Sequence, residues 1–117
     1  MKRDWNKIKL VLEDVEKDRL EHRLTSFSDD GTDDEAKYFG HLWLLEEGGF
    51  IRGISVNCRE DGEWYYSLSL PRLTFAGHDL LDAIRSETIW SAVKKRAKEA
   101  MVPITLELIK TVVTKMS

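Results

Sequence analysis

Residues 33–56, DDEAKYFGHLWLLEEGGFIRGISV, decide the fold, because within them the apolar period changes from helical to alternating. At about 100° per residue, Tyr38, Phe39, Leu42, Trp43 and Leu45 share one broad face, while Lys37, Gly40, His41, Leu44 and Glu47 point the other way. Gly48 and Gly49 end this helix, one of them in the left-handed conformation. Thr32 or Asp33 caps its start, and Asp29, Asp30, Asp33, Asp34 and Glu35 interact favourably with its positive end. The same acids would repel a polyanion, so they bear directly on what the helix can touch.

Downstream, the alternating segment predicts a hairpin whose register follows from its loop. With Glu60, Asp61 and Gly62 as a three-residue loop and Gly62 left-handed, Arg59 pairs with Glu63. Ile54 then faces Leu68, Val56 faces Tyr66 and Cys58 faces Trp64, while Ser55, Asn57, Tyr65 and Ser67 share the opposite side. A two-residue turn at Asp61 and Gly62 would pair Ile54 with Ser69 and Val56 with Ser67, mixing the two faces. Cys58, the lone cysteine, reads as a buried thiol in a reducing compartment.

Towards the N-terminus, Trp5, Ile8, Val11, Leu12 and Val15 lie on one face of a helix from about Asp4, its N-cap, to Asp18. Residues 19–32 are polar and irregular, which predicts a loop with a short extended piece near Leu24 to Phe27. Towards the C-terminus, Thr74 caps a helix with Leu80, Leu81 and Ile84 inward, and Ser86 caps another with Ile89, Trp90, Val93 and Ala97 as its stripe. Lys94, Lys95, Arg96 and Lys98 form the one dense basic run. Pro103 suits the first turn of a last helix. Val102, Leu106, Ile109, Val113 and Met116 recur there at spacings of four and three, as the seam of a homodimer would. Trp5, Trp64 and Trp90 are expected inward, and Trp43 at a partly exposed edge.

The chain of 117 residues, 42% hydrophobic and 33% charged, suits one soluble domain. No apolar run approaches the roughly 20 residues that span a bilayer, and MKRDWNKIK lacks the apolar segment of a signal peptide, so a cytoplasmic protein is expected. The net charge is −3, and residues 25–50 carry seven acidic side chains against one basic, so any basic surface comes from the ends of the chain. His22, His41 and His78 are far apart, and there is no nucleophile with its base and no phosphate-cradling loop. The expectation is a protein that is not an enzyme and needs no metal or cofactor.

The order helix, loop, helix, hairpin, helices resembles a winged helix. LWLLEEGGFI is similar to the passage from recognition helix to wing in winged-helix regulators, and LTFAGHDLLDAI resembles the segment after their wing. With MKRDW and GHDLLDAIRSETIW, these motifs resemble, over nearly the whole chain, a family of small phage- and prophage-associated bacterial proteins classified as a domain of unknown function. The resemblance implies an α+β winged-helix domain, with helices and wing over residues 1–73 and two to three further helices over residues 74–117. By analogy of fold the function is that of a DNA-binding transcriptional regulator. Its contacts with double-stranded DNA would be Lys37 and His41 on the exposed helix face, Arg52 and Arg59 on the wing, and Lys2, Arg3 and Lys7 near the N-terminus. The alternative is a module through which a phage factor binds a host protein and not DNA, using Trp43, Leu44 and Glu47.

Overall fold

The computed structural model describes residues 2–27 and 33–116, the last without its side chain. Among the described residues the chain is mixed α+β, with six helices and one two-stranded antiparallel sheet. It divides into two compact units, Met1–His78 and Asp79–Ser117. The acids Asp29 and Asp30 and the proposed cap Thr32 lie outside the described residues.

Helix α1, Trp5–Glu16, starts where expected: Asp4 Oδ1 accepts the amide of Asn6 at 2.9 Å and of Lys7 at 3.3 Å. These amides have no intrahelical partner, so the cap satisfies donors that would otherwise be orphaned. Ile8, Val11, Leu12 and Val15 are buried, and Trp5 is half-buried. The chain reverses at Asp18, left-handed at φ 58°, where the Arg19 amide donates to the Asp14 carbonyl at 2.7 Å. A second helix, α2, Leu20–Ser26, follows directly.

The loop expected over residues 19–32 is thus corrected in its first half, and the extended piece near Leu24 is helical. Leu20 and Leu24, one helical turn apart, are both buried, and α2 packs on α1. A seven-residue helix is marginal alone, so this burial rather than propensity holds it.

Helix α3, Asp33–Glu47, buries Tyr38, Phe39, Leu42 and Leu45 and packs on α1 and on strand β1, Ile51–Cys58. It ends at Gly49, φ 81°, with the Phe50 amide returning to the Leu45 carbonyl at 2.9 Å. Strand β2, Trp64–Leu73, pairs with β1 in the expected register: Ile54 with Leu68, Val56 with Tyr66, Cys58 with Trp64. The Arg59 amide donates to Glu63 O and the Gly62 amide to Arg59 O, both at 2.9 Å, around a left-handed Gly62 at φ 86°.

Nearer its base the hairpin is irregular. Arg52 pairs with Arg72 but the next pair is Ile54 with Leu68, so Ser69, Leu70 and Pro71 stand opposite Gly53 alone. Gly53 sits at φ 83°, and a Cβ there would overlap the Ser69 and Leu70 carbonyls, so the site excludes side chains on two grounds. Cys58, expected to be buried, is exposed. It sits at the hairpin end, where its partner Trp64 takes the inward face against α3.

Helix α4, Phe75–Arg85, begins with the Gly77 amide donating to Thr74 Oγ1 at 3.1 Å, while that hydroxyl donates to the Gly49 carbonyl at 2.6 Å. Gly77 lies against the Phe50 carbonyl with no room for a Cβ, which gives the glycine of the Leu-Thr-x-x-Gly motif its physical reason. In the other unit, α5, Glu87–Ala100, is capped by Ser86 Oγ, which accepts from Ile89 at 3.2 Å. Helix α6, Leu106–Met116, packs on α5.

Two expectations for α6 are corrected. Pro103 precedes the helix rather than entering its first turn, because Thr105 Oγ1 accepts the Leu108 amide at 3.2 Å and sets the start at Leu106. Ile109, the centre of the expected dimer seam, is buried within the single chain together with Val112. Leu106 and Val113 are half-buried, and the Met116 side chain lies outside the described residues.

Candidate functional site

Polar contacts at three side chains, Asp14, Tyr38 and His41, set the pose of α3. Asp14 on α1 is buried and accepts from Tyr38 Oη at 2.7 Å and from Arg23 Nε at 3.0 Å, joining α1, α2 and α3 at one carboxylate. Burial, with the bond to Asp14, pushes the Tyr38 hydroxyl well above the ordinary phenol range. The same carboxylate, through its hydrogen bond, holds the Arg23 guanidinium above its ordinary value. The third side chain is His41, whose Nε2 accepts the Asp4 amide at 2.8 Å and whose Nδ1 donates to the Lys37 carbonyl at 2.6 Å.

His41 is 0% exposed, which corrects its expected place on the outer face of α3 and removes it from contact with any ligand surface. The start of α1 covers this flank of the helix, and its Asp4 amide fixes the ring. Gly40 is buried as well. What remains outward on α3 is Asp33, Asp34, Ala36, Lys37, Trp43, Leu44 and Glu47.

The acids at the start of α3 take up the neighbouring lysines. Lys7 reaches Asp34, whose carboxyl lies below its ordinary range because the Lys7 ammonium donates a hydrogen bond to it. Lys37, the one Lys or Arg of α3, sits 3.2 Å from Asp33. Such exposed pairs contribute little to stability, but each offsets the charge that a phosphate contact would use.

The remaining expected arginines have separate local partners, and the two on the hairpin stand apart along it. Arg52 donates to the Glu46 carbonyl at 3.3 Å and so closes the end of α3. Arg72, its cross-strand neighbour, donates to the Leu70 carbonyl at 3.2 Å. Arg59 lies over the Tyr65 ring at 3.8 Å, seven residues further along the hairpin from Arg52, roughly 20 Å of extended chain. Lys2 and Arg3 are exposed, with Arg3 stacked over Trp5 at 5.7 Å.

The two faces of α3 and the hairpin meet instead in an aromatic cluster. Phe39 stacks on Trp64, with centroids 5.5 Å apart and planes 7° from parallel, and lies 5.9 Å from Tyr66. Trp43 meets Trp64 edge-on at 5.9 Å. On the inner side, Phe27 continues the cluster to Tyr38 at 5.4 Å. Its outer rim reaches solvent: Trp43 is 38% and Tyr66 37% exposed, and Leu44, the residue after Trp43 on α3, is 40% exposed.

Trp43, Leu44 and Glu47, the residues of the protein-binding alternative, are therefore all at the surface, and the hairpin adds Trp64 and Tyr66 to them. The hairpin register already placed those two rings on one side of the sheet, with Trp64 expected inward. Their position at the rim of the cluster depended on where α3 ends, which the register does not contain.

Among the described residues no three His, Cys, Asp or Glu side chains group as a metal would require, and no helix is long and apolar enough to cross a membrane. No solved structure matches the chain. A Haemophilus influenzae (strain ATCC 51907 / DSM 11121 / KW20 / Rd) protein carrying the name "Uncharacterized protein" is 33% identical over 114 residues, covering 96% of this chain and 92% of that one. The family profile described as hypothetical protein DUF2513 matches residues 2–103, and the chain belongs to that family.

Proposed function

We propose that residues 1–78 form a winged-helix-like unit that acts by binding and not by catalysis, and that its α3–hairpin surface docks a partner protein instead of duplex DNA. In this reading α2 is the short positioning helix, α3 the helix that would enter the groove, and β1–β2 the wing. The observation that carries it is the outer part of α3: Trp43 stands partly exposed against Trp64 and Leu44 is exposed next to it in the chain, while the only Lys or Arg of the helix is held by Asp33. Aromatic side chains that are partly exposed and already ordered by their neighbours are typical anchors of protein interfaces. Nonspecific DNA affinity instead comes mostly from cations free to meet phosphates.

The resemblance to phage-associated proteins supports a host protein as the partner, with the acidic start of α3 favouring a basic rim around its apolar contact. The test places a photo-crosslinking residue at Leu44 in the full chain, in cells of its source, and identifies the adduct. The expected result is a discrete protein adduct that Trp43→Ser abolishes and Lys37→Glu leaves intact. The reading fails if the purified chain binds random-sequence duplex DNA at physiological salt and Lys37→Glu weakens that binding.

A further inference from the structure

Residues 79–117 carry seven Lys and Arg against five Asp and Glu, a net +2, which leaves −5 for residues 1–78. In the unit Asp79–Ser117, α5 and α6 leave an open groove of about 280 Å³ lined by Ala92, Lys95, Arg96, Glu99, Val112 and Lys115. The four α5 residues recur at spacings of three, one and three, so a single strip of the helix faces the groove, while Lys94 and Lys98 fall on another side. Val112 is buried and Ala92 half-buried, giving the groove an apolar floor. The ion pairs Lys7–Asp34, Lys17–Glu13, Arg23–Asp14 and Lys37–Asp33 all lie within residues 1–78, and none uses Lys95, Arg96 or Lys115.

We propose that this groove docks an acidic amphipathic segment of a partner protein, a stretch in which carboxylates flank one apolar side chain. Three cations against the single Glu99 set the sign of the occupant, and the Ala92–Val112 floor accepts its apolar anchor. The groove is open to solvent, which suits a side chain inserted from a partner's surface better than an enclosed cofactor. A nucleic-acid strand fits less well, because no aromatic ring lines the groove to stack a base. The site shares no residue with the α3–hairpin surface and stands without it.

The test is fluorescence anisotropy of a labelled short peptide alternating Glu and Leu, titrated with the full chain. Lys95→Glu combined with Arg96→Glu is expected to weaken binding roughly tenfold, and Ala92→Trp, which fills the floor without changing charge, to weaken it comparably. Lys94→Glu combined with Lys98→Glu makes the same change of charge on the same helix and is expected to shift binding less than about twofold. Trp43→Ser, which disables the α3 surface, leaves peptide binding unchanged. Absence of peptide binding overturns the proposal, as does equal weakening by the two charge-reversal pairs. Tighter binding of random-sequence duplex DNA through Lys95 and Arg96 overturns it in favour of nucleic acid.

Discussion

Replacing Asp14 by Ala removes one carboxylate that three helices share, and the structure sets the size of the effect. The substitution deletes two charge-assisted hydrogen bonds, from Tyr38 Oη at 2.7 Å and Arg23 Nε at 3.0 Å. Bonds of this kind contribute about 1.5–3 kcal/mol each. The Arg23 side chain is 40% exposed and recovers water, so its share belongs at or below the low end. The Tyr38 hydroxyl is buried and does not, leaving a donor whose stranding costs about 1–3 kcal/mol. Relief of the buried charge offsets part of this. The net expectation is a loss of about 3 kcal/mol.

Tyr38→Phe removes donor and bond together while Asp14 keeps Arg23, and costs about 1.5–2 kcal/mol, the low end of that range. The double substitution costs less than the sum of the singles by about 1 kcal/mol or more, because both remove the same bond. Urea unfolding followed by tryptophan fluorescence measures all three. A Trp90→Phe background restricts the signal to Trp5, Trp43 and Trp64, all within Met1–His78. At about 1–3 kcal/mol per molar urea, Asp14→Ala moves the midpoint by 1 M or more. Strict additivity of the two substitutions, or a smaller loss for Asp14→Ala than for Tyr38→Phe, refutes the claim that this carboxylate joins the helices.

The raised pKa of Tyr38 has a signed consequence: the folded chain keeps a proton that the unfolded chain releases near pH 10, so the contribution is complete below pH 10 and is lost as pH rises beyond it. Unfolding free energies from urea titrations between pH 9 and 11 should fall by up to about 1.4 kcal/mol per pH unit more steeply in the wild type than in Tyr38→Phe. Gly53→Ala meets two carbonyl oxygens at φ 83° and is expected to cost about 3 kcal/mol, against about 1 kcal/mol for Gly62→Ala, which has nothing within 4 Å of the new Cβ; equal midpoints would contradict the packing argument. Ile109→Glu puts a charge at a buried site, so circular dichroism should show loss of helix, and a fully helical variant altered only in self-association would restore the outer seam.

Where local chemistry specifies an element, the residues announced it. Asp4, Thr74 and Ser86 each carry an oxygen at the position where unpaired amides need one, and each caps its helix. The hairpin register followed from the parity of its faces, since a slip of one residue would send every apolar side chain to solvent. The joint between α1 and α2 was not legible, because Asp18 takes the left-handed position where a glycine would have marked it, and α2 shows only Leu20 and Leu24 as its apolar pattern.

The sequence by itself determined the helix and strand periods, the caps, the loop chemistry and the acidic bias of residues 25–50, because these depend on neighbours a few positions apart. Only the tertiary structure decided that His41 is buried, since its partner amide belongs to Asp4, 37 residues away. A helical wheel resolves one inward face, and α3 is covered on two: by the hairpin at Phe39 and Trp43, and by the start of α1 at His41. The same long-range packing pairs Lys7 with Asp34, leaves Cys58 in solvent and brings Trp64 to Trp43. Which side chains reach the surface, and so what this protein can touch, is set by contacts between segments distant in the chain, and periodicity within one segment does not contain them.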